Sequence, residues 1–178
     1  MQRNTAIENE IRNALLNLVE KKPFYRIKVV DIIKECDIGR TTFYDHFDSV
    51  FDVMQSIEDE YFEKFLEKRQ ELKVREFSDL YTMVNFSSEY LVRLFRILVG
   101  PNGDPAFEMR FKNHNKRIIK EMVVEVDDPD EQKMLAEFCA GGIWELLRFW
   151  AFNSDDLSRS KVLKFHRKLK ESIKSFDK

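Results

Sequence analysis

A chain of 178 residues, 43% hydrophobic and 13% aromatic, can bury the core of one compact domain, or of two small ones sharing it, without staples. A formal net charge of −2 excludes a globally basic nucleic-acid binder. No run approaches the roughly 18 apolar residues of a membrane span, and no basic start leads into an apolar leader, so a cytoplasmic location without membrane attachment is expected.

Thr5-Ala6-Ile7-Glu8 has the form of a capping box, in which a hydroxyl and a carboxylate satisfy the free amides of a helix start. Ile7, Ile11, Leu15 and Leu18 follow at four, four and three, and the helix is expected to end near Lys21-Lys22-Pro23. Phe24 and Ile27 then anchor a loop. Val29, Ile32, Ile33 and Cys36 form a buried stripe on a second, short helix. Asp37 and Gly39 break that pattern, with Ile38 as the apolar plug between two helices. In the next helix Phe43 and Phe47 face inward, while Arg40, Thr41, Thr42 and Tyr44 project elsewhere. Two helices joined by this tight turn match a helix-turn-helix, whose second helix sets its N-terminal residues at base edges in a major groove.

Asp48-Ser49 can cap a long helix from about Val50 to Lys73, with Val53, Ile57, Tyr61, Phe65 and Leu72 along its inner side. A further helix is expected over about Ser78 to Val99, with Leu80, Val84, Leu91, Leu94, Phe95 and Leu98 among its apolar residues. The cluster Gly100-Pro101-Asn102-Gly103-Asp104-Pro105 is a loop. Helical patterns resume from Ala106 to Val124, from Asp130 to Phe152 and from about Leu157 to Phe176, with a turn over Asn153 to Asp156. Gly141-Gly142 lie inside the second of these, where glycine costs about 1 kcal/mol against alanine. They therefore imply either close approach of another helix in a dimer or relief of packing within one subunit. The sum is an all-α chain of about nine helices, with no strand pattern and no internal repeat.

No nucleophile-base arrangement, metal-ligand spacing or phosphate-binding loop is present, so neither an enzyme nor a cofactor or metal site is expected. Cys36 and Cys139 read as buried small residues in a reducing compartment. Paired carboxylates such as Asp127-Asp128 lie beside helix starts, where they act as caps. Residues 1 to 50 carry eight basic and eight acidic groups, so non-specific affinity for DNA should be weak. Residues 127 to 156 hold two basic and eight acidic groups, and 157 to 178 hold eight and two; as neighbouring helices the two segments would be complementary.

The run Thr42-Phe43-Tyr44-Asp45-His46-Phe47, after Asp31-Ile32-Ile33, resembles the signature that ends the DNA-binding domain of the TetR family of repressors, over about residues 5 to 55. The resemblance implies a three-helix reading head at residues 1 to 50, its motif at about 28 to 47, and a ligand-binding and dimerisation body at 51 to 178. It places Arg40, Thr41 and Thr42 near base edges and Tyr44 and His46 against phosphates, with Lys28 at a common phosphate-contacting position. Each has a plainer reading: Arg40 as a solvated helix-start charge, Tyr44 packed on Phe47, His46 hydrogen-bonded inside the head. The chain departs from the family at Val50, where a lysine is usual, at Cys36-Asp37, where alanine-glycine is usual, and in the added charges of Asp45 and Asp48. The run from Phe138 to Trp150 resembles the penultimate helix of a subgroup that includes regulators of dihydroxyacetone kinase operons, some members of which act by partnering another protein.

The expectation is a homodimeric regulator that reads a palindromic double-stranded operator and responds to a small apolar or aromatic effector. The alternative is a co-regulator of the same fold that binds a protein partner and has weak DNA affinity of its own. The effector pocket is expected to be lined by Phe86, Tyr90, Phe107, Phe111 and Trp144, with Arg148 as polar anchor, unless these aromatics simply fill the core. The dimer is expected through residues 130 to 152 and 157 to 176, at Gly141 and Gly142.

Overall fold

The computed structural model describes residues 2–71, 89–122, 128–153, 156–158, 160–162, 164–165 and 168–169. All regular structure among them is helical: α1 (Gln2–Val19), a 3-10 turn (Phe24–Arg26), α2 (Val29–Cys36), α3 (Arg40–Tyr44), α4 (Val50–Glu71), α5 (Glu89–Val99), α6 (Phe107–Met122) and α7 (Pro129–Asn153). Residues 160–162, 164–165 and 168–169 are helical as well. Expected positions Leu72, Leu80, Val84 and Phe86 lie outside the described residues. The chain forms two compact units, one of Met1–Glu63 with Ile97–Phe107 and the other of Lys64–Arg96 with Glu108–Lys178. The first unit thus extends beyond residue 50 and includes the 100–106 loop.

In the first unit, Ile11, Leu15 and Leu18 of α1 are buried with Ile32, Phe43, Phe47, Val53 and Ile57. Burying one such side chain contributes about 1.5–3 kcal/mol, so these few residues set the orientation of α1 to α4. α1 begins at Gln2, three residues before the expected cap, so Thr5 lies within the helix and the capping-box reading fails. α2 starts as expected. The Asp31 carboxylate accepts the Lys28 N–H at 2.8 Å and the Lys22 ammonium at 2.8 Å, and these two donors, the lysine first, hold its carboxyl below the ordinary range.

The turn after α2 is made by Asp37, the one non-glycine residue with positive φ among those described (φ 55°, ψ 43°). The Ile38 N–H donates to the Ile33 carbonyl at 3.2 Å. This closes the helix end with a left-handed residue after the last turn. Gly39 has an ordinary extended conformation (φ −76°, ψ 157°) and precedes α3. The left-handed step therefore falls on an aspartate, which tolerates it better than most side chains.

Two further contacts order this unit. The Phe24 N–H donates to the Asn102 carbonyl at 2.8 Å, joining the 3-10 turn to the 100–106 loop, and the Phe24 ring meets Phe51 edge-on at 5.1 Å. Phe107 is buried against Tyr61 and Phe62, with ring centroids 5.9 and 5.8 Å away.

In the second unit, α7 starts on an aspartate cap: Asp128 Oδ1 accepts the N–H of Asp130 at 2.7 Å and of Glu131 at 3.3 Å. Pro129 follows at the first helical position, where its missing N–H costs nothing. Ala136, Cys139, Ala140, Ile143, Trp144, Leu147, Trp150 and Ala151 form the buried face of α7 at three- and four-residue spacing. Arg96 Nε donates to the Ala151 carbonyl at 2.6 Å, tying α5 to the last turn of α7. Lys116 pairs with Glu137 at 2.6 Å, and Lys112 Nζ lies 6.0 Å from the centre of the Trp144 ring. The ascending residues of α6 thus meet descending residues of α7, and the two helices run antiparallel.

Candidate nucleic-acid interface and interior aromatic cluster

α3 is only five residues long, and one buried side chain holds it. Phe43 is fully enclosed and meets Tyr44 edge-on at 5.4 Å. With Phe43 inside, Arg40, Thr41 and Tyr44 are exposed and Thr42 is half-buried. Tyr44 leans on Phe43, in the same hydrophobic corner as Phe47, and remains 53% exposed. Lys28, just ahead of α2, is exposed. Four of the residues expected to meet DNA therefore stand at the surface of one unit.

His46 is placed differently. Its side chain is 6% exposed, and Nδ1 lies 3.4 Å from the Glu8 carboxylate. Glu8 pairs with Arg12 at 3.3 Å, and Arg12 with Glu60 at 3.1 Å, so His46 adjoins a chain of ion pairs linking α1 and α4. Of the two sequence readings for this residue, the geometry matches a contact inside the head. An imidazole turned toward Glu8 can position the residues that follow α3.

The start of α4 is also self-contained. The Ser49 hydroxyl accepts the Asp52 N–H at 3.1 Å, and the Asp52 carboxylate accepts the Asp48 N–H at 3.0 Å. Val50 is buried. A helix N-terminus ordinarily attracts anions, but here the chain's own carboxylates occupy that position.

In the second unit, Phe95, Phe111 and Trp144 come together, with centroid separations of 5.7, 6.0 and 5.3 Å. Phe111 and Trp144 were expected to share a site, and they do share an interior cluster. Phe107 does not join them, because it packs in the first unit. Tyr90 is 41% exposed, with Lys64 Nζ 4.5 Å from its ring centre. Arg148 is exposed and paired with Glu145 at 3.0 Å, so it cannot anchor anything in the cluster. The polar group that lies inside is Asn115, 1% exposed. Its position four residues after Phe111, on the same helical face, was the sequence signal for it.

Among the described residues, and apart from the helix's own backbone, nothing lies within 4 Å of where a Cβ would stand on Gly141 or Gly142. The same helix exposes Met134, Phe138, Phe149 and Phe152. Among the described residues there is no helix long and apolar enough to cross a membrane and no group of three His, Cys, Asp or Glu suited to a metal ion.

Residues 89–172 match a TetR C-terminal family model described as "Transcriptional regulator C-terminal region". The fold is that of a TetR transcriptional regulator from Streptococcus agalactiae 2603V, with a TM-score of 0.70 and 21% identity over 94% of this chain and 95% of the other. No curated protein matches the chain. The likeness to that structure shows the shared all-helical fold.

Proposed function

We propose that the chain is a TetR-type transcription regulator that acts as a homodimer on a palindromic operator and responds to a small effector. The observation that carries this reading is the α2–α3 unit: a left-handed turn at Asp37, then Arg40, Thr41 and Tyr44 exposed on a short helix fixed by buried Phe43. A groove-reading helix needs this combination of polar outer groups and rigid support. Arg40, Thr41 and Thr42 serve base edges, Tyr44 and Lys28 serve phosphates, and His46 holds the helix in place through Glu8. The exposed apolar face of α7 with its glycine notch supports a second copy as the partner. An exposed row of large apolar side chains favours burial in an interface. An electrophoretic shift with the DNA upstream of the chain's own gene tests the reading. A sequence-specific shift is expected, abolished by Arg40→Ala with Thr41→Ala, and no shift with any fragment of that DNA would refute it.

One observation favours a second reading. The start of α4 is capped by Ser49 and Asp52 with Asp48 beside it, which removes a phosphate site and adds negative charge near the expected backbone. Under this reading the chain is a co-regulator with little DNA affinity of its own, in keeping with the likeness of the Phe138 to Trp150 run to regulators of dihydroxyacetone kinase operons. It calls for co-purification of a second protein and no shift at low salt.

A further inference from the structure

Asn115 is one of two buried polar or charged residues among those described, the other being Glu58 of the first unit. Its Nδ2 donates to the Phe111 carbonyl at 3.0 Å, and its Oδ1 is buried with no hydrogen-bond partner. The assignment of the two ends follows from chemistry, because only the amide nitrogen can face a carbonyl oxygen. With the nitrogen committed to its own helix, the oxygen is the atom left to accept. A buried acceptor left unmade costs about 1–3 kcal/mol, a cost that native interiors rarely carry without a reason.

The antiparallel register of α6 and α7 says what stands across from it. Lys112 lies at the Trp144 ring and Lys116 at Glu137, so Asn115 is level with the stretch of α7 that buries Ala136, Cys139 and Ala140. These are the small residues of the inner face, and Phe111 and Trp144 begin one turn away. The region thus offers short side chains, an aromatic wall and one acceptor. Arg148, the basic group expected there, is outside and engaged with Glu145.

We infer that the interior of the second unit binds a small, uncharged aromatic molecule bearing an N–H or O–H donor, with Asn115 Oδ1 as the acceptor that selects it. This deepens, and rests on, the effector-responsive reading above. A site built around one polar partner discriminates strongly against an isostere lacking it, because the buried group is then left unpaired. A carboxylate placed at Oδ1 would face an acceptor rather than a donor.

Isothermal titration with 2-naphthol against 2-methoxynaphthalene, and with indole against benzothiophene, tests the inference on the full chain. The donor-bearing member of each pair is expected to bind at least about tenfold more tightly. Asn115→Leu should weaken 2-naphthol and indole to the level of their analogues and leave the analogues unchanged. Should N115L fail to fold, the side-chain amide resonance of Asn115 in the unsubstituted chain takes its place and must be among the signals most shifted by 2-naphthol. The inference is overturned if none of the four probes binds, if the members of each pair bind equally, if N115L keeps the preference, or if the Asn115 resonance does not move. An operator shift by the unliganded chain separates this from the regulator reading. DNA binding without probe selectivity sinks the effector site alone, and selectivity without DNA binding sinks the DNA-reader assignment alone.

Discussion

Gly103 is the position where a single methyl group should do the most damage. A Cβ built there would lie 2.2 Å from the Leu98 carbonyl oxygen, 2.7 Å from that of Ile97 and 2.8 Å from the Leu98 carbonyl carbon, whereas ordinary contact begins at 3.4 Å. All three atoms are backbone, so no side-chain rotation relieves the overlap. The loop must lift by about an ångström, at the expense of the Gly103 N–H to Gly100 carbonyl bond (3.0 Å) and the Phe24 N–H to Asn102 carbonyl bond (2.8 Å). With about 0.5–1.5 kcal/mol for each hydrogen bond, and up to about 3 where a buried group is left unsatisfied, Gly103→Ala should destabilise by about 2–5 kcal/mol. For a chain of this size that is a fall in melting temperature of roughly 5–15 °C. Thermal unfolding followed by circular dichroism at fixed protein concentration measures it. Gly39→Ala serves as the comparator: its Cβ would meet only the Thr42 hydroxyl at 3.8 Å, and its loss should stay within about 1 kcal/mol, the scale of a cap substitution. A G103A chain melting within 2 °C of the original would refute the argument that the loop is locked by backbone contact.

Asp37→Gly should raise stability by about 1 kcal/mol in urea unfolding, because glycine adopts the left-handed conformation without the Cβ penalty; a loss would mean that the carboxylate has a compensating contact. The depressed Asp31 carboxyl contributes stability that is present above its unfolded value of about 3.9 and is lost as pH falls through its lower folded value. Asp31→Asn should therefore destabilise at neutral pH, and its difference from the original chain should vanish in acid. In DNA binding, Thr42→Ala should relax sequence preference while Tyr44→Phe weakens all sequences alike, because base contacts specify and phosphate contacts position; competition shifts with scrambled half-sites distinguish the two. Gly142→Leu should convert the proposed dimer to monomer or aggregate in light scattering, and an unchanged dimer would remove that residue from the interface.

The local structure was legible wherever one short-range rule decided it. The stripe Val29, Ile32, Ile33, Cys36 and the breaks at Asp37 and Gly39 placed α2 and the start of α3, whereas α3 ends at Tyr44, short of the expected Phe47, and α7 begins at Pro129, one residue before the expected Asp130. Phe43 could be assigned to the inside because Arg40, Thr41 and Thr42 beside it are polar, and Phe47 is buried as expected although it lies beyond the end of α3. Periodicity fails where a helix is apolar around its whole circumference. α7 carries Trp144 and Trp150 on one side and Phe138 and Phe149 on another, and residue type alone does not say which pair enters the core. The tertiary structure chose, and with that choice Arg148 went outward to Glu145 and Gly142 became an open notch. The same holds for Phe107 and Phe111, four residues apart on α6 yet packed in different units, because the loop before α6 carries its first residue to Tyr61 and Phe62. His46 and Asn115 make the point for polar groups: whether an imidazole meets a phosphate or Glu8, and whether an amide oxygen finds a donor, depends on neighbours dozens of residues away, which no local pattern contains.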